Sequence, residues 1–209
     1  MADWLRRHPR ALVVDVGCSL GFFSALALAA SPDVEVIAVD SDPPSLLATE
    51  KICRYYNEKR RLTLIHGFVS DQHPSRCDLK TAHAHTMEKL DALRKTSDKL
   101  KTSYVCLHDS PQETIPTHSL DRLLESEPTS GRGLLIKCDV EGAELLVLQG
   151  AERLLAEERP TLLLSVHPAA LKEYFQRSRE DVYNFLTSKG YAIRFLSKDH
   201  EEHWLVEKV

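Results

Sequence analysis

Apolar and polar positions follow two different rhythms along this chain. Short apolar runs of strand length recur between longer stretches in which apolar residues return every three or four positions, as on a helix with one buried face. Ala11–Val16 reads as a fully buried strand, β-branched and continuously apolar up to Asp15, and Val34–Val39, Leu62–Ile65, Leu134–Val140 and Thr161–Val166 read likewise. Between them the pattern predicts helices over Phe22–Ala30, Pro43 to Asn57, Gly142–Glu157 and Leu171–Ser188. Pro43-Pro44 suits a first helical turn, Pro160 marks the end of the third helix and Gly190 stops the fourth. Ile115–Leu124 reads as an extended piece entering a short helix, with Ser119 as its N-cap. Tyr191–Leu196 and His203–Glu207, joined by the polar link Ser197–Glu202, predict an antiparallel hairpin. Strands alternating with helices define an α/β fold: a doubly wound, Rossmann-like sheet of about seven strands, mostly parallel, ending in that hairpin.

Residues 67–102 are harder to read. A charged helical piece, Met87–Leu100, is taken as an insertion on the sheet rim that can serve as a lid, and His66, His73, His83 and His85 as part of a solvated loop.

Length and charge narrow the picture. With 209 residues the chain fits one domain spanning 1–209. Its 27 lysines and arginines against 31 aspartates and glutamates give a net charge of −4, so no nucleic-acid partner is expected. Cys18, Cys53, Cys77, Cys106 and Cys138 never fall in C-x-x-C spacing and read as reduced thiols of a cytoplasmic protein. The longest uncharged stretch, Val16–Pro32, is interrupted by Gly17 and Gly21 and is no membrane span, and Met1–Pro9 lacks the apolar core of a secretory signal.

The candidate chemistry begins at Asp15-Val16-Gly17-Cys18-Ser19-Leu20-Gly21, where the first strand gives way to a helix. That is the ligand crevice of a doubly wound sheet. The glycine spacing is G-x-x-x-G and lacks the G-x-G-x-x-G pattern that seats a dinucleotide pyrophosphate. Asp15 would repel a pyrophosphate, yet it can accept hydrogen bonds from an amino-acid ammonium group, directly or through water. Asp40, at the end of the second strand, stands where a carboxylate accepts both hydroxyls of a ribose. A ribose without a pyrophosphate points to S-adenosylmethionine, and the bland alternative is a glycine turn beside a solvated aspartate.

A second motif, Lys137-Cys138-Asp139-Val140-Glu141-Gly142-Ala143-Glu144, crosses from a central strand into a helix at the same rim. This K-x-D-x-E-G-x-E run, followed by Gly150-Ala151, resembles the hallmark of the FkbM-type methyltransferases. The resemblance extends to D-x-G-x-x-x-G-F-F at Asp15, Gly17, Gly21, Phe22 and Phe23, to Asp40, to Ser70-Asp71, to Ser119-Leu120-Asp121 and to the strand ending at His167. It implies a class I methyltransferase sheet and S-adenosylmethionine-dependent methylation, mostly of hydroxyl oxygens. By the same resemblance Asp15, Gly17, Gly21, Phe22, Asp40, Asp71 and Asp139 are expected to hold the cofactor. The chain departs from the family at Cys18-Ser19, where Ala-Asn is common, and at Asp40 and Ser165, where glutamates are common.

Methyl transfer from a sulfonium asks the protein to position two reactants and to remove a proton from the acceptor. His167 is the expected general base, since an imidazole titrates near neutrality, with Asp139, Glu144 and Lys137 completing the catalytic group. Each has a plainer reading: His167 as a strand terminator, Glu141 and Glu144 as carboxylates favoured at a helix N-terminus, and Lys137 as their ion-pair partner. Asp139, Glu141 and Glu144 offer the oxygen ligands that suit magnesium or calcium, but the expectation is a site without a metal. The expected function is O-methylation of a small-molecule hydroxyl. The competing readings are a catalytically idle domain binding a partner through the insertion, and a nicotinamide oxidoreductase.

Overall fold

The apolar runs become strands of one seven-stranded sheet in a computed structural model that describes residues 2–56, 61–96, 115–129 and 131–209. Helix α1 (Ala2–Arg7) precedes β1 (Leu12–Val16), α2 (Phe22–Ala30), β2 (Glu35–Asp40), α3 (Pro43–Cys53) and β3 (Leu62–His66). Strand β4 (Phe68–Val69), helix α4 (Leu79–Thr96), strand β5 (Thr117–His118) and helix α5 (Leu120–Leu123) lead to β6 (Leu134–Asp139). Helices α6 (Glu144–Gln149) and α7 (Glu152–Glu157), strand β7 (Thr161–Val166), helices α8 (Pro168–Phe175) and α9 (Arg179–Ser188), and the hairpin β8 (Tyr191–Lys198) and β9 (Glu202–Lys208) follow.

The strand order is β3-β2-β1-β6-β7-β9-β8. The first five of these pair in parallel, while β9 runs antiparallel to both β7 and β8. Winding reverses between β1 and β6, which opens a crevice at their carboxyl ends. Alternation along each strand divides the core in two. Val13 and Leu135 pack with Trp4, Leu5, Ala25 and Leu28, whereas Leu12, Val14, Val16 and Ile136 share the opposite face with Leu148 of α6 and Leu186 of α9. The fold class expected from the sequence is therefore the one observed. None of the described helices is long and apolar enough to cross a membrane.

Three elements differ from the sequence reading. The stretch Gly142–Glu157 breaks into α6 and α7 because Asp121 reaches in from α5: its two carboxylate oxygens accept from the backbone N–H of Arg153 and Leu154 at 2.8 and 2.9 Å and start a new helix. Leu171–Ser188 likewise divides, because Ser178 and Asp181 form a capping box that begins α9 afresh. The third difference is larger. The described part of the supposed rim insertion is dominated by α4, which starts at Leu79 and packs on β3 through Leu90, with Met87 and Leu93 against the same cluster. Its His83 Nδ1 lies 2.9 Å from the Leu64 carbonyl, and Thr86 Oγ1 accepts from the His66 N–H at 2.8 Å. The helix thus covers the outer edge of the sheet, and His83 and His85 are helical. Residues 97–102 of that insertion, the end of the Met87–Leu100 piece, Cys106 and the helix end at Asn57 lie outside the described residues.

Candidate active site

Parity along the strands decides which polar side chains meet. Asp15, Lys137 and Asp139 all lie on the face that carries Val13 and Leu135, and Asp15 is directly opposite Lys137 in the β1/β6 register. Asp15 is fully buried there, accepting from Ser24 Oγ of α2 at 2.7 Å and lying 3.2 Å from Lys137 Nζ. Asp15, expected to meet a ligand's ammonium group directly or through water, has its side chain buried between Ser24 and Lys137. Lys137 also donates to the Gly17 carbonyl at 2.6 Å and stands 3.6 Å from Asp139. Burial works against the lysine's charge, but Asp15 and Asp139 more than offset it and hold the pKa above the usual lysine value. Lys137 pairs with these two aspartates, where the sequence reading had it pairing with Glu141 or Glu144.

The glycine loop is held by close backbone approach. Gly17 has φ +74°, and a Cβ there would stand 1.8 Å from the Asp139 carbonyl oxygen, so only glycine lets the β1 and β6 ends meet. Ser19, also left-handed at φ 49°, turns its N–H onto Asp40 Oδ2 at 2.8 Å, and Asp42 N–H reaches Asp40 Oδ1 at 2.9 Å. Burial dominates the Asp40 environment and, against these two N–H donors, raises its pKa from 3.8 to about 6.

Gly17, Ser19, Leu20, Asp40, Phe68, Val69, Lys137, Asp139, Glu141 and Val147 line a cleft of about 340 Å³, together with His200 and Glu201. Of the expected cofactor residues, Gly17, Asp40 and Asp139 are on its wall. Gly21 instead faces α3, where a Cβ would stand 2.7 Å from the Cα of Thr49. Phe22 is 64% exposed on α2, and Asp71 is exposed beyond β4; neither lines the cleft.

His167 is 5% exposed and lies just behind the cleft wall. Its Nδ1 is 2.8 Å from Oε1 of the fully buried Glu144, the same oxygen that accepts from the Gly142 N–H at 2.9 Å. Its Nε2 is 2.9 Å from Glu201 Oε2, 3.5 Å from Glu141 Oε2 and 3.7 Å from Asp139 Oδ1. Burial disfavours the imidazolium, but the Glu144 hydrogen bond and the charges of Glu144, Glu141 and Asp139 prevail and raise the pKa to about 9. His167 and Glu144 thus form a buried hydrogen-bonded pair, and neither lines the cleft.

Glu201 is the residue that sequence reasoning missed. It sits in the polar link between β8 and β9 yet is only 8% exposed. The antiparallel β7/β9 register pairs Val166 with Glu202, so the next step along both strands sets His167 opposite Glu201. The signal was therefore a strand register, which no local motif carries.

The arrangement is that of a known fold. Among solved structures the chain is similar to methyltransferase FkbM from Methylobacillus flagellatus, at 18% identity and TM-score 0.58 over 99% of this chain and 50% of that one. It is also similar to a precorrin-6y C5,15-methyltransferase from Geobacter metallireducens, at 12% identity and TM-score 0.55 over 100% of this chain and 85% of that one. A methyltransferase from Geobacter sulfurreducens matches at 16% identity and TM-score 0.50, covering 100% of this chain and 76% of its own. The sheet is thus that of the class I methyltransferases. The model of the methyltransferase FkbM domain matches residues 15–193, and the chain belongs to that family of methyltransferases. No curated protein matches it. The chain spans half the length of the Methylobacillus flagellatus protein.

Proposed function

We propose that this protein transfers a methyl group from S-adenosylmethionine to a hydroxyl oxygen of a small molecule. The observation that carries this reading is one cleft joining a half-buried carboxylate suited to ribose, Asp40, to a mouth lined by Asp139 and Glu141. The residues present fit the cofactor. Each Asp40 oxygen accepts one backbone N–H and retains acceptor capacity for a ribose hydroxyl. Val39, Phe68, Val69 and Val147 supply apolar walls for a nucleobase, and the acidic mouth suits a ligand carrying a sulfonium and an ammonium charge.

When bound, the cofactor supplies a methyl group activated on a positively charged sulfur. The chain's own residues do the rest. Lys137 ties the glycine loop to the β6 end through the Gly17 carbonyl, so the two walls of the cleft keep a fixed separation. Asp139 is the group that takes the acceptor's proton in this reading: it lines the cleft and has Lys137 and His167 beside it at 3.6 and 3.7 Å. The turn carrying His200 and Glu201 also lines the cleft.

Calorimetric titration with S-adenosylmethionine and, separately, with NAD tests the cofactor assignment. Binding of the first alone is expected, and its failure to bind overturns the reading. Incubating enzyme and cofactor with a small-molecule extract should then yield a species heavier by one methyl group in place of a proton, as read by mass spectrometry.

A further inference from the structure

Four carboxylates, those of Asp139, Glu141, Glu144 and Glu201, converge on the single imidazole of His167. Lys137 is shared among Asp15, the Gly17 carbonyl and Asp139, and His200 and His203 stand 3.8 and 3.7 Å from the other oxygen of Glu201. With Asp15 counted, the carboxylates still outnumber the cationic groups that face them.

Two buried atoms show where that charge belongs. His167 Nε2 and Glu201 Oε2 are both sealed from solvent, and neither is in hydrogen-bond geometry with any group, although they lie 2.9 Å apart. Each points past the other. Asp139, His167 and Glu201 can each offer one atom to a shared centre, with all three atoms within 4.8 Å of one another. The separations of 2.9, 3.5 and 3.7 Å from Nε2 to Glu201, Glu141 and Asp139 are close to the edge of a coordination polyhedron, about 3.0 to 3.4 Å for ligands some 2.1 Å from an ion.

The other side of the ring is built accordingly. His167 Nδ1 faces Glu144 Oε1 at 2.8 Å, and that oxygen is fixed in turn by the Gly142 N–H at 2.9 Å. A carboxylate on the far nitrogen orients the ring and makes the near nitrogen a better donor, the support commonly found behind a metal-binding histidine.

The geometry points to a divalent transition-metal site formed by Asp139, His167 and Glu201, with Glu141 at its open side and Glu144 as the positioning residue behind the ring. One imidazole with two or three carboxylates suits an ion of the manganese type better than calcium, which takes six or more oxygens. The inference deepens the proposed function and rests on it for the ion's purpose: beside the cleft mouth, the ion would bind the acceptor's hydroxyl oxygen and lower its pKa, so that Asp139 need only hold the departing proton. Binding of the ion itself stands apart from that reading.

The test uses the full chain and reads Mn²⁺ binding by electron paramagnetic resonance and calorimetry, without turnover. One Mn²⁺ per chain is expected, with Mg²⁺ weaker. His167→Ala and Glu201→Gln should each weaken binding at least about tenfold, and Glu144→Gln by about 10- to 100-fold through loss of ring orientation. A second acidic group, Asp199, Glu201 and His203, lies on the exposed side of the same turn, so Asp199→Asn is the control. If Asp199→Asn abolishes binding while His167→Ala leaves it intact, the ion sits on the turn and the proposal is overturned. Absence of stoichiometric binding by folded wild-type protein, with folding checked by circular dichroism, overturns it as well. S-adenosylmethionine affinity measured on the same samples separates the two failures: Mn²⁺ bound without the cofactor sinks the methyl-transfer reading alone.

Discussion

Asp40 is a carboxylate whose ordinary behaviour is altered by its place at the end of β2. Because burial raises its pKa from 3.8 to about 6, the folded chain holds that proton more tightly than the unfolded one. Its contribution to the stability of the ligand-free protein therefore falls as pH rises from 3.8 to about 6. Ligand binding has the opposite sign, since the ionised form is the one that accepts from two hydroxyls. Affinity for S-adenosylmethionine should be full above neutrality and fall about tenfold per pH unit below the Asp40 pKa. Asp40→Asn should remove that step and weaken the complex about 10- to 100-fold throughout, the effect of losing hydrogen bonds to a charged group. Calorimetry across the pH range checks both, and a variant with unchanged affinity would remove Asp40 from the site. Asp40, Gly17 and Asp139 could be picked out in the sequence because each sits within a local motif. Asp15 belongs to the same motif and is nevertheless interior, because strand alternation turns it toward Ser24 on α2. Its alternation was readable; the helix waiting on that face was not.

Between elements, Asp121 has a role that its motif did not announce. It follows Ser119, which caps α5 by accepting from the Arg122 N–H as the sequence indicates, and its own side chain caps α7 more than thirty residues away. Ala151 precedes α7 without a capping side chain, so the first turn of that helix depends on Asp121. Asp121→Ala should cost about 1 to 2 kcal/mol, the range for loss of an N-cap, and Asp121→Asn rather less. Chemical denaturation checks it; an alanine variant as stable as wild type would show the cap to be dispensable. The strands of the main sheet were legible within a residue or two, because buried parallel strands are continuous apolar runs. The helix breaks at Gly150 and near Ser178 were not. An apolar spacing continues smoothly across Gly150, and only a side chain from another element interrupts it. The charged surface of α4 concealed Leu90 in the same way, since the few residues it buries are diluted among three lysines, Glu88, Asp91 and Arg94.

At the scale of the whole molecule, β9 follows every other strand of the sheet in sequence but lies inside it, between β7 and β8. Its Trp204 and Val206 are buried in the larger core. A ribosome therefore makes every other strand of this sheet before the one that joins the hairpin to the rest. Until Glu202–Lys208 has left the exit tunnel, β7 presents an open, strongly apolar edge (Thr161–Val166) and β8 has nothing to pair with. Nascent chains arrested before β9 emerges should remain protease-sensitive throughout the β6–β7 half and be held by chaperones, while chains arrested just after it should become resistant in a single step. Resistance gained gradually, strand by strand, would argue against this order. The sheet's architecture thus imposes a checkpoint on biosynthesis: a chain interrupted before Glu202–Lys208 would be recognisable as unfinished.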